Sequence, residues 1–466
     1  MSSGLTRRGA LTVVGGGAAF GGLALSSGDA LGATSPGGGD AESPANAVTG
    51  KLNTWLADNP LFNRENAAKV LAEAGVDALL VSNPTGIYHL TSVNPITNMM
   101  TPKPFENYAL LTADPRQPVR LLLFDFTYYF LVSDVRPGPW LETRLYSSPA
   151  GDGISAAANP PTMFRVPDGG VLTADEQRRR DEVTAMVPEM AASAGAGLVK
   201  MLREAGLANG RIASDSPLPA EHCEKASLDT EFVDADRILG LIRRVKSPIE
   251  IDLMRHAANQ NALAVVASAS TLRAGASISE LRTAYFTDAT KAGGINEFMA
   301  VDRATSPRYD RILRDGHAFM VDGVSSFNGY HGDFGRTVFL GEPNRRMAAM
   351  TAQIAIAWQA IREKMVPGTT FGQLLETGAD SIKRSGMDVM ARFNVHSVGL
   401  WHTDDPFGQT PDQWLGTVLE SGMIISVDCP LFDEGVGGSS HYEDLTLITD
   451  QGPVALNTEF PAALIV

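Results

Sequence analysis

The sequence predicts two folded domains, an α/β domain followed by a β-rich α+β domain with an internal duplication. Helical and strand-like patterns alternate from Asn53 to about Val233, which is typical of an α/β domain. Further along, two segments repeat the order of turn, capped helix and glycine stop at a constant offset. Between these segments, residues 319–336 have the pattern of strand, turn and strand.

The first residues have the pattern of an export signal. A polar lead with Arg7-Arg8 precedes a weakly apolar stretch, Gly9 to Leu25, and small residues follow near Ala33. The arginine pair resembles a twin-arginine signal and therefore predicts a periplasmic protein. We assign residues 1–33 to this signal and the small-residue stretch 34–50 to a flexible linker. A single membrane-spanning helix is the competing interpretation.

The length, composition and net charge restrict the classes of protein to which this chain can belong. The 466 residues, of which 44% are hydrophobic, are enough for two or three globular domains. A net charge of −15 argues against binding to nucleic acid or to an anionic membrane surface. After the signal, no stretch is long and apolar enough to span a membrane. Cys223 and Cys429 are too few for a disulfide framework, and their pairing stays open.

The α/β domain is assigned to residues 51–235. The pattern predicts a helix over 66–74 that stops at Gly75, a buried strand over 78–81 and a chain break at residues 84–86. Strands over 108–111 and 121–124 and one long helix over 181–205 follow. No complete set of metal ligands lies in this domain, and His89 is expected to be structural. We expect the domain to pack, to form dimer contacts and to supply one wall of the active site.

The second domain is assigned to residues 236–466. It opens with a helix within 243–273, announced by Ser247 as N-cap and Pro248 in the first turn. The repeat follows this helix, and a chance match of two helix starts is the alternative explanation. Its matching positions are Gly275, Leu281 and Gly293 in one copy and Gly368, Leu374 and Gly386 in the other.

Two aspartates flank the predicted hairpin of this domain. Asn328-Gly329 is a strong turn signal, and paired strands on either side would bring Asp322 and Asp333 together. On this segment alone, a turn at Asp322 and an edge-strand charge at Asp333 explain the pattern equally well. The remaining candidates for a shared site lie further along the chain: His396, His402, Asp428, His441 and Glu443.

The order Asp, Asp, His, acid, Glu resembles that of the pita-bread metallopeptidases, the family of methionine aminopeptidase, aminopeptidase P, prolidase and creatinase. The matching segments are residues 322–337, 396–402, 428–430 and 441–444. Residues 72–93 are similar to the N-terminal domain of creatinase, prolidase and aminopeptidase P. The resemblance implies a creatinase-like α/β N-terminal domain and a pita-bread α+β catalytic domain whose halves are related by a pseudo-twofold.

The resemblance also implies a dinuclear metal site. Manganese is the expected ion, and iron, cobalt and zinc are alternatives, because carboxylates and imidazole suit these divalent metals. The implied ligands are Asp322, Asp333, His396, Asp428 and Glu443, with Asp333 and Glu443 bridging the two ions. The implied catalytic residues are His402 and Asp428, and the implied substrate-binding residues are Tyr330, His402 and His441. For Tyr330, packing in the core is an equal alternative.

By the same resemblance, the expected function is hydrolysis of a peptide or peptide-like amide bond, as in Xaa-Pro dipeptidases and aminopeptidases, by a homodimer. Three departures bear on this function: Asp428 stands in place of a glutamate, His396 and His402 are six residues apart rather than seven, and His441 replaces an arginine. A creatinase-like C–N hydrolase, a carbon–sulfur lyase and a non-catalytic binding protein are the alternatives.

Overall fold

The computed structural model describes residues 43–95, 105–131, 138–147, 169–302, 304–306, 308, 310–387, 391–431 and 438–466. The predicted signal, 1–33, and most of the predicted linker lie outside these residues. The chain divides into two compact units. The α/β unit comprises Lys51–Ile251 and Thr403–Trp414, and the duplicated unit comprises Asp252–His402, Leu415–Val466 and the described residues before Lys51.

The α/β unit is built on a six-stranded mixed sheet with the strand order β4-β3-β2-β1-β5-β6. The strands are β1 (Ala78–Val81), β2 (Tyr108–Thr112), β3 (Val119–Phe124), β4 (Leu141–Tyr146), β5 (Arg211–Ser214) and β6 (Glu231–Asp234). The helices up to residue 244 are α1 (Pro44–Leu56), α2 (Arg64–Ala74), α3 (Pro84–Thr91), α4 (Asp125–Leu131), α5 (Ala174–Met186), a 3₁₀ turn (Val187–Glu189), α6 (Ala194–Glu204), α7 (Leu218–Lys225) and α8 (Asp236–Arg244).

Several predicted elements of this unit are confirmed. Helix α2 begins after Asn63, whose side chain accepts a hydrogen bond from the Asn66 amide, and it ends at Gly75 with φ +63°. Glycine adopts this left-handed conformation without the strain of a Cβ atom, which explains the stop. Strand β1 is buried along its whole length, as its continuous apolar run predicts.

Prolines account for two wrong predictions. Pro84 does not break the chain but starts α3, because it follows the N-cap Asn83, whose side chain accepts a hydrogen bond from the Gly86 amide. Pro188 interrupts the helix predicted over 181–205, so that α5 and α6 are separate helices joined through the 3₁₀ turn.

Two boundaries also differ from those assigned. Residues 44–50 of the predicted linker form the first part of α1. The α/β unit extends to Ile251 rather than ending near 235, because α8 packs against α2. The Asn66 side-chain amide donates hydrogen bonds to the carbonyls of Leu241 and Ile242, each at 3.0 Å, which ties the two helices together.

The duplicated unit contains two sheets, one with β7, β8, β9, β12 and β15 and one in the order β10-β11-β13-β14. The strands are β7 (Ile295–Val301), β8 (Ala318–Phe327), β9 (Tyr330–Phe339), β10 (Asn394–Ser397), β11 (Ile424–Asp428), β12 (Glu443–Asp444), β13 (Thr446–Leu447), β14 (Val454–Ala455) and β15 (Ala463–Ile465). The helices from residue 248 are α9 (Pro248–Ser270), α10 (Ile278–Lys291), α11 (Arg345–Arg362), α12 (Phe371–Ser385) and α13 (Pro411–Leu415). Among the described residues, no helix combines the length and the apolar character that crossing a membrane requires.

The hairpin predicted around Asn328-Gly329 is confirmed. Both turn residues have positive φ, +48° and +79°, as a two-residue type I′ turn requires. Strands β8 and β9 pair in register from Phe327–Tyr330 to Ala318–Phe339, which places Asp322 opposite Gly335 and Val324 opposite Asp333. Asp322 therefore lies within a strand, and the interpretation of this residue as part of a turn is wrong.

The internal repeat is visible in the backbone hydrogen bonds. The Gly275 amide donates to the Leu313 carbonyl at 2.9 Å, and at the matching place the Gly368 amide donates to Leu419, also at 2.9 Å. Both glycines have φ near +90°. A side-chain oxygen then caps each helix: Ser277 caps α10 and Thr370 caps α12. The two copies therefore share local structure as well as sequence pattern.

The strands that follow the two copies also correspond. The Gly316 amide donates to the Leu340 carbonyl at 2.7 Å just before β8, and the Gly422 amide donates to Ile448 at 2.9 Å just before β11. Asp322 is the fifth residue of β8, and Asp428 is the fifth residue of β11. The duplication thus places one carboxylate at the equivalent position in each half.

Candidate metal centre

All five predicted metal ligands lie in the duplicated unit, on five different strands. Strand pairing brings these strands together: His396 on β10 is opposite Ser426 on β11, and Asn394 is opposite Asp428. Glu443 on β12 is opposite Gly335 on β9. Residues two apart on a strand share a face. His396 therefore lies on the same face of β10 as Asn394, and Asp428 lies on the same face of β11 as Ser426.

The imidazole of His396 faces three of the carboxylates. Its Nε2 atom lies 3.4 Å from Asp428 Oδ2, 3.7 Å from Asp333 Oδ2 and 4.0 Å from Glu443 Oε1. Asp333 and Glu443 are completely buried, whereas Asp322 and Asp428 keep partial exposure. The structure therefore brings the predicted ligands into one cluster. That they bind metal stays a prediction.

Crowding of negative charge shifts the pKa values of these acids. Burial, together with Asp333 and Asp428, raises the pKa of both Asp322 and Glu443 well above the usual range. Burial alone would also raise the pKa of Asp333, but the neighbouring His402 and His396 lower it below its ordinary value. Four carboxylates packed so closely require compensating positive charge or protons.

Within the described residues, Asp333, Asp428 and Glu443 form their ion pairs with histidines. Arg336, three residues after Asp333, is fully buried and instead binds Asp444 at 2.8 Å. The Oδ1 atoms of Asp322 and Asp333 are buried and accept no hydrogen bond from any described residue. Such buried acceptors suit a cation.

The donor atoms fall into two groups in which every atom lies within 4.8 Å of the others. One group contains Asp333, His396 and His402, and the other contains Asp322, Asp428, His441 and Glu443. Carboxylate oxygens and imidazole nitrogens are the ligands that divalent transition metals prefer. The residues present therefore fit a divalent metal centre.

The six-residue spacing leaves His402 inside the cluster. Its Nε2 atom lies 3.3 Å from Asp333 Oδ2, and its ring packs against Phe298 with the ring centroids 5.4 Å apart. The His402 side chain keeps 31% of its exposure, against 2% for His396. His402 is thus the imidazole of the pair that a substrate can reach.

His441 is buried beside two carboxylates of the cluster. We assigned this residue to substrate binding, but its side chain is 1% exposed and its Nε2 atom is 3.1 Å from Glu443 Oε2 and 3.7 Å from Asp428 Oδ1. Burial lowers the pKa of this imidazole. His441 therefore lies among the carboxylates of the cluster, because Gly335 leaves the space that its ring fills.

Two aromatic residues near the motifs differ in exposure: Tyr330 is buried, whereas Trp401 is exposed. Tyr330 is fully buried at the start of β9, which favours its packing role over substrate binding. Trp401, between the two histidines, is 53% exposed and is therefore not a core residue.

Two polar residues of the site escaped the sequence analysis. The Ser426 hydroxyl donates to Glu443 Oε1, and the Asn394 side-chain amide donates to Asp428 Oδ2 at 3.1 Å. Each residue stands two positions before a predicted ligand on the same strand, and this spacing is the signal that identifies residues sharing a face with a ligand. Both orient carboxylates of the cluster.

The fold and this cluster together fit a metal-dependent hydrolase, and the comparisons with known proteins agree. The sequence profile of metallopeptidase family M24 matches residues 252–450 of this chain. An Xaa-Pro dipeptidase of Pyrococcus furiosus is 26% identical over 251 residues, which cover 50% of this chain and 68% of that protein. A probable dipeptidase, PepE, of Mycobacterium tuberculosis H37Rv is 27% identical over 242 residues, 48% of this chain and 61% of the relative.

A solved structure extends the similarity to the α/β unit. The crystal structure of the prolidase from Pyrococcus horikoshii OT3 superposes with a TM-score of 0.58 and covers 85% of this chain and 98% of that chain at 18% identity. At this identity the comparison supports the fold alone. The predicted fold class is confirmed, and the chain is a metallopeptidase-type enzyme.

Proposed function

We propose that the chain is a dinuclear-metal-dependent peptidase that cleaves Xaa-Pro substrates, as a dipeptidase or an aminopeptidase. The observation that carries this proposal is the convergence of four carboxylates on His396 within a domain of family M24. The substrate class is supported by the names of the relatives, an Xaa-Pro dipeptidase and a prolidase.

In this proposal, the five predicted ligands divide between two ions. Asp333 and Glu443 would be shared by both ions, Asp322 would hold one ion, and His396 and Asp428 would hold the other. Their positions support this division, because Asp333 and Glu443 are the two fully buried acids of the cluster. When bound, divalent ions of such a site activate water and stabilise the charge that develops on the scissile carbonyl.

The two catalytic residues are those with access to solvent. Asp428 keeps 20% exposure of its side chain and accepts the proton of the attacking water. His402 donates a hydrogen bond to the substrate carbonyl as negative charge develops there. Its ring is held for this task by Phe298 on one side and by His396, at a centroid distance of 4.9 Å, on the other.

The decisive test is elemental analysis of the signal-free protein, combined with a screen of Xaa-Pro dipeptides after reconstitution with manganese. We expect about two ions per chain and release of proline, with Xaa-Ala dipeptides as the control for specificity. Metal binding without peptide cleavage would favour the small-molecule hydrolase or lyase. Failure to bind metal after reconstitution would refute the dinuclear site and leave a binding role.

Three further properties belong to the same proposal. The excess of carboxylate over imidazole ligands favours manganese, which competition among Mn²⁺, Fe²⁺, Co²⁺ and Zn²⁺ for the metal-free protein would test. The pattern of residues 1–33 supports periplasmic export, and fractionation of cells that produce the protein with Arg7→Lys and Arg8→Lys would show loss of export. A homodimer is supported by the resemblance in sequence, and its mass is measurable by light scattering.

A further inference from the structure

His441 occupies the position where this chain departs from the family motif, and its surroundings are those of a ligand. Its Nε2 atom lies 3.1 Å from Glu443 Oε2 and 3.7 Å from Asp428 Oδ1. One donor atom from each of Asp322, Asp428, His441 and Glu443 lies within 4.8 Å of the other three. The Nε2 atom of His441 therefore faces two carboxylates, and the side chain is buried from solvent.

Glu443 and Asp428 each present one oxygen to His441 and the other to His396. For Glu443, Oε2 faces His441 and Oε1 lies 4.0 Å from His396 Nε2. For Asp428, Oδ1 faces His441 and Oδ2 lies 3.4 Å from His396 Nε2. The two imidazoles thus approach different oxygens of the same two carboxylates, and such an arrangement suits two ions that share carboxylate ligands.

The backbone makes room for the His441 ring at one position. A Cβ atom on Gly335 would lie 2.0 Å from His441 Cδ2 and 2.3 Å from His441 Nε2, closer than any real contact. Gly335 faces Glu443 across the pairing of β9 with β12. Glycine at 335 and histidine at 441 are therefore complementary, and a side chain at 335 would exclude the ring.

The main chain of His441 is also held in place. Its amide donates to the Thr337 hydroxyl at 3.0 Å, and this hydroxyl donates back to the His441 carbonyl at 3.3 Å. The ring also interacts with the backbone of Cys429. A ligand needs such support, because a fixed ring loses little freedom when it binds metal.

We propose that His441 is an additional metal ligand, which forms with Asp322, Asp428 and Glu443 a metal position that has its own imidazole. This inference rests on the proposed dinuclear function and adds to it. In this assignment Asp428 would be shared between the two ions in addition to Asp333 and Glu443, and each ion would have one imidazole ligand. An added nitrogen ligand shifts the preference of this position towards Co²⁺ and Zn²⁺ relative to Mn²⁺.

The direct test is a structure of the wild-type protein loaded with Zn²⁺ or Co²⁺, by crystallography or by X-ray absorption. We expect His441 Nε2 at about 2.0–2.1 Å from an ion, the distance of an imidazole ligand. If both ions are present and Nε2 stays more than about 3 Å from each, His441 is not a ligand. That outcome overturns this inference and leaves the proposed function intact, whereas absence of metal in the wild-type protein overturns both.

Variants provide a second readout in the Co²⁺ visible spectrum and the metal affinity. His441→Gln keeps an amide that can donate to Glu443, and Gly335→Ala keeps His441 but displaces its ring. We expect both to weaken Co²⁺ binding at one of the two positions at least ~10-fold and to change its spectrum. His256→Gln, which changes a buried histidine packed on Phe327 away from the cluster, is the control and should leave both unchanged. Unchanged affinity and spectrum in folded His441→Gln would contradict the inference.

Discussion

At the scale of the residue, the site depends on carboxylates that repel one another. Asp333 is the clearest case, because it is completely buried and lies within 3.7 Å of two imidazoles, those of His396 and His402. Such an acid is stable only with compensating charge. A substitution at this position therefore tests whether the cluster is a metal centre.

We expect Asp333→Ala to lose bound metal and peptidase activity together, because a bridging carboxylate serves both ions. Metal content by elemental analysis and hydrolysis of an Xaa-Pro dipeptide are the two measurements. Asp252→Ala, which removes an acid paired with Arg255 at the surface, is the control. Full metal content with full activity in Asp333→Ala would refute the site assignment.

His402→Ala should keep the metal but lower kcat/KM by ~10²–10³-fold, the usual cost of removing a donor to developing negative charge. The same elemental analysis and steady-state kinetics separate binding from rate. His317→Ala, a histidine of the same unit that accepts a hydrogen bond from the Arg314 amide, is the control. Unchanged kcat/KM in His402→Ala would assign this histidine to a structural role.

At the scale of the element, one strand pair positions the two aspartates, and a side-chain cap fixes the start of α9. The hairpin of β8 and β9 sets Asp322 opposite Gly335, and a shift of one residue would turn either aspartate to the other face. At the start of α9, Ser247 and Glu250 form a reciprocal cap: each backbone amide donates to the other's side chain, at 2.7 Å and 3.3 Å.

Helix α9 also carries a pH-sensitive contact within the α/β unit. Glu250 lies 3.1 Å from His89 Nε2, and both side chains are buried. Burial alone would raise the pKa of Glu250, but His89, Lys246 and the Ser247 amide lower it below the ordinary value. The structural role predicted for His89 is thus confirmed.

Glu250→Gln is predicted to lower stability at pH 7 and to lower it less as the pH falls. A carboxylate with a depressed pKa stabilises the folded state above its unfolded pKa of about 4.3 and loses this contribution as the pH falls through the folded value. Denaturant unfolding between pH 7 and pH 3 measures the difference from wild type. A difference that stays constant over this range would contradict the prediction, and Glu280→Gln on the surface of α10 is the control.

At the scale of the whole molecule, duplication explains why the site has two similar sides. Asp322 and Asp428 occupy equivalent positions on β8 and β11, and β12 joins the halves by pairing with β9. Ligands from both halves then meet in one cluster. Metal binding is therefore expected to stabilise the duplicated unit as a whole.

Removal of metal with a chelator should lower the unfolding temperature of the duplicated unit, because ions that bind only the folded state stabilise it by mass action. The expected loss in the free energy of unfolding is about 2.7 kcal/mol when the free metal concentration is 100 times its Kd. Calorimetry with and without chelator measures it, and Asp333→Ala should show no such shift. Equal unfolding temperatures for the metal-loaded and chelated wild-type protein would contradict the prediction.

Local sequence patterns determined the turns and helix ends of this protein. The turn at Asn328-Gly329, the stop at Gly75 and the cap at Ser247 depend on neighbouring residues, and each was predictable because its cause lies within a few positions of the chain. The order of acids and histidines also identified the cluster that the structure assembles. Prolines misled the prediction at Pro84, whose effect depends on the cap provided by Asn83.

Contacts between distant segments were decided only by the tertiary structure. His441 and Gly335 are far apart in sequence, and only the pairing of β12 with β9 shows that the ring of one fills the space left by the other. The extension of the α/β unit to Ile251 likewise follows from the packing of α8 on α2. A sequence pattern records which side chains are present, but the space and the charge around each one depend on which strands and helices become neighbours.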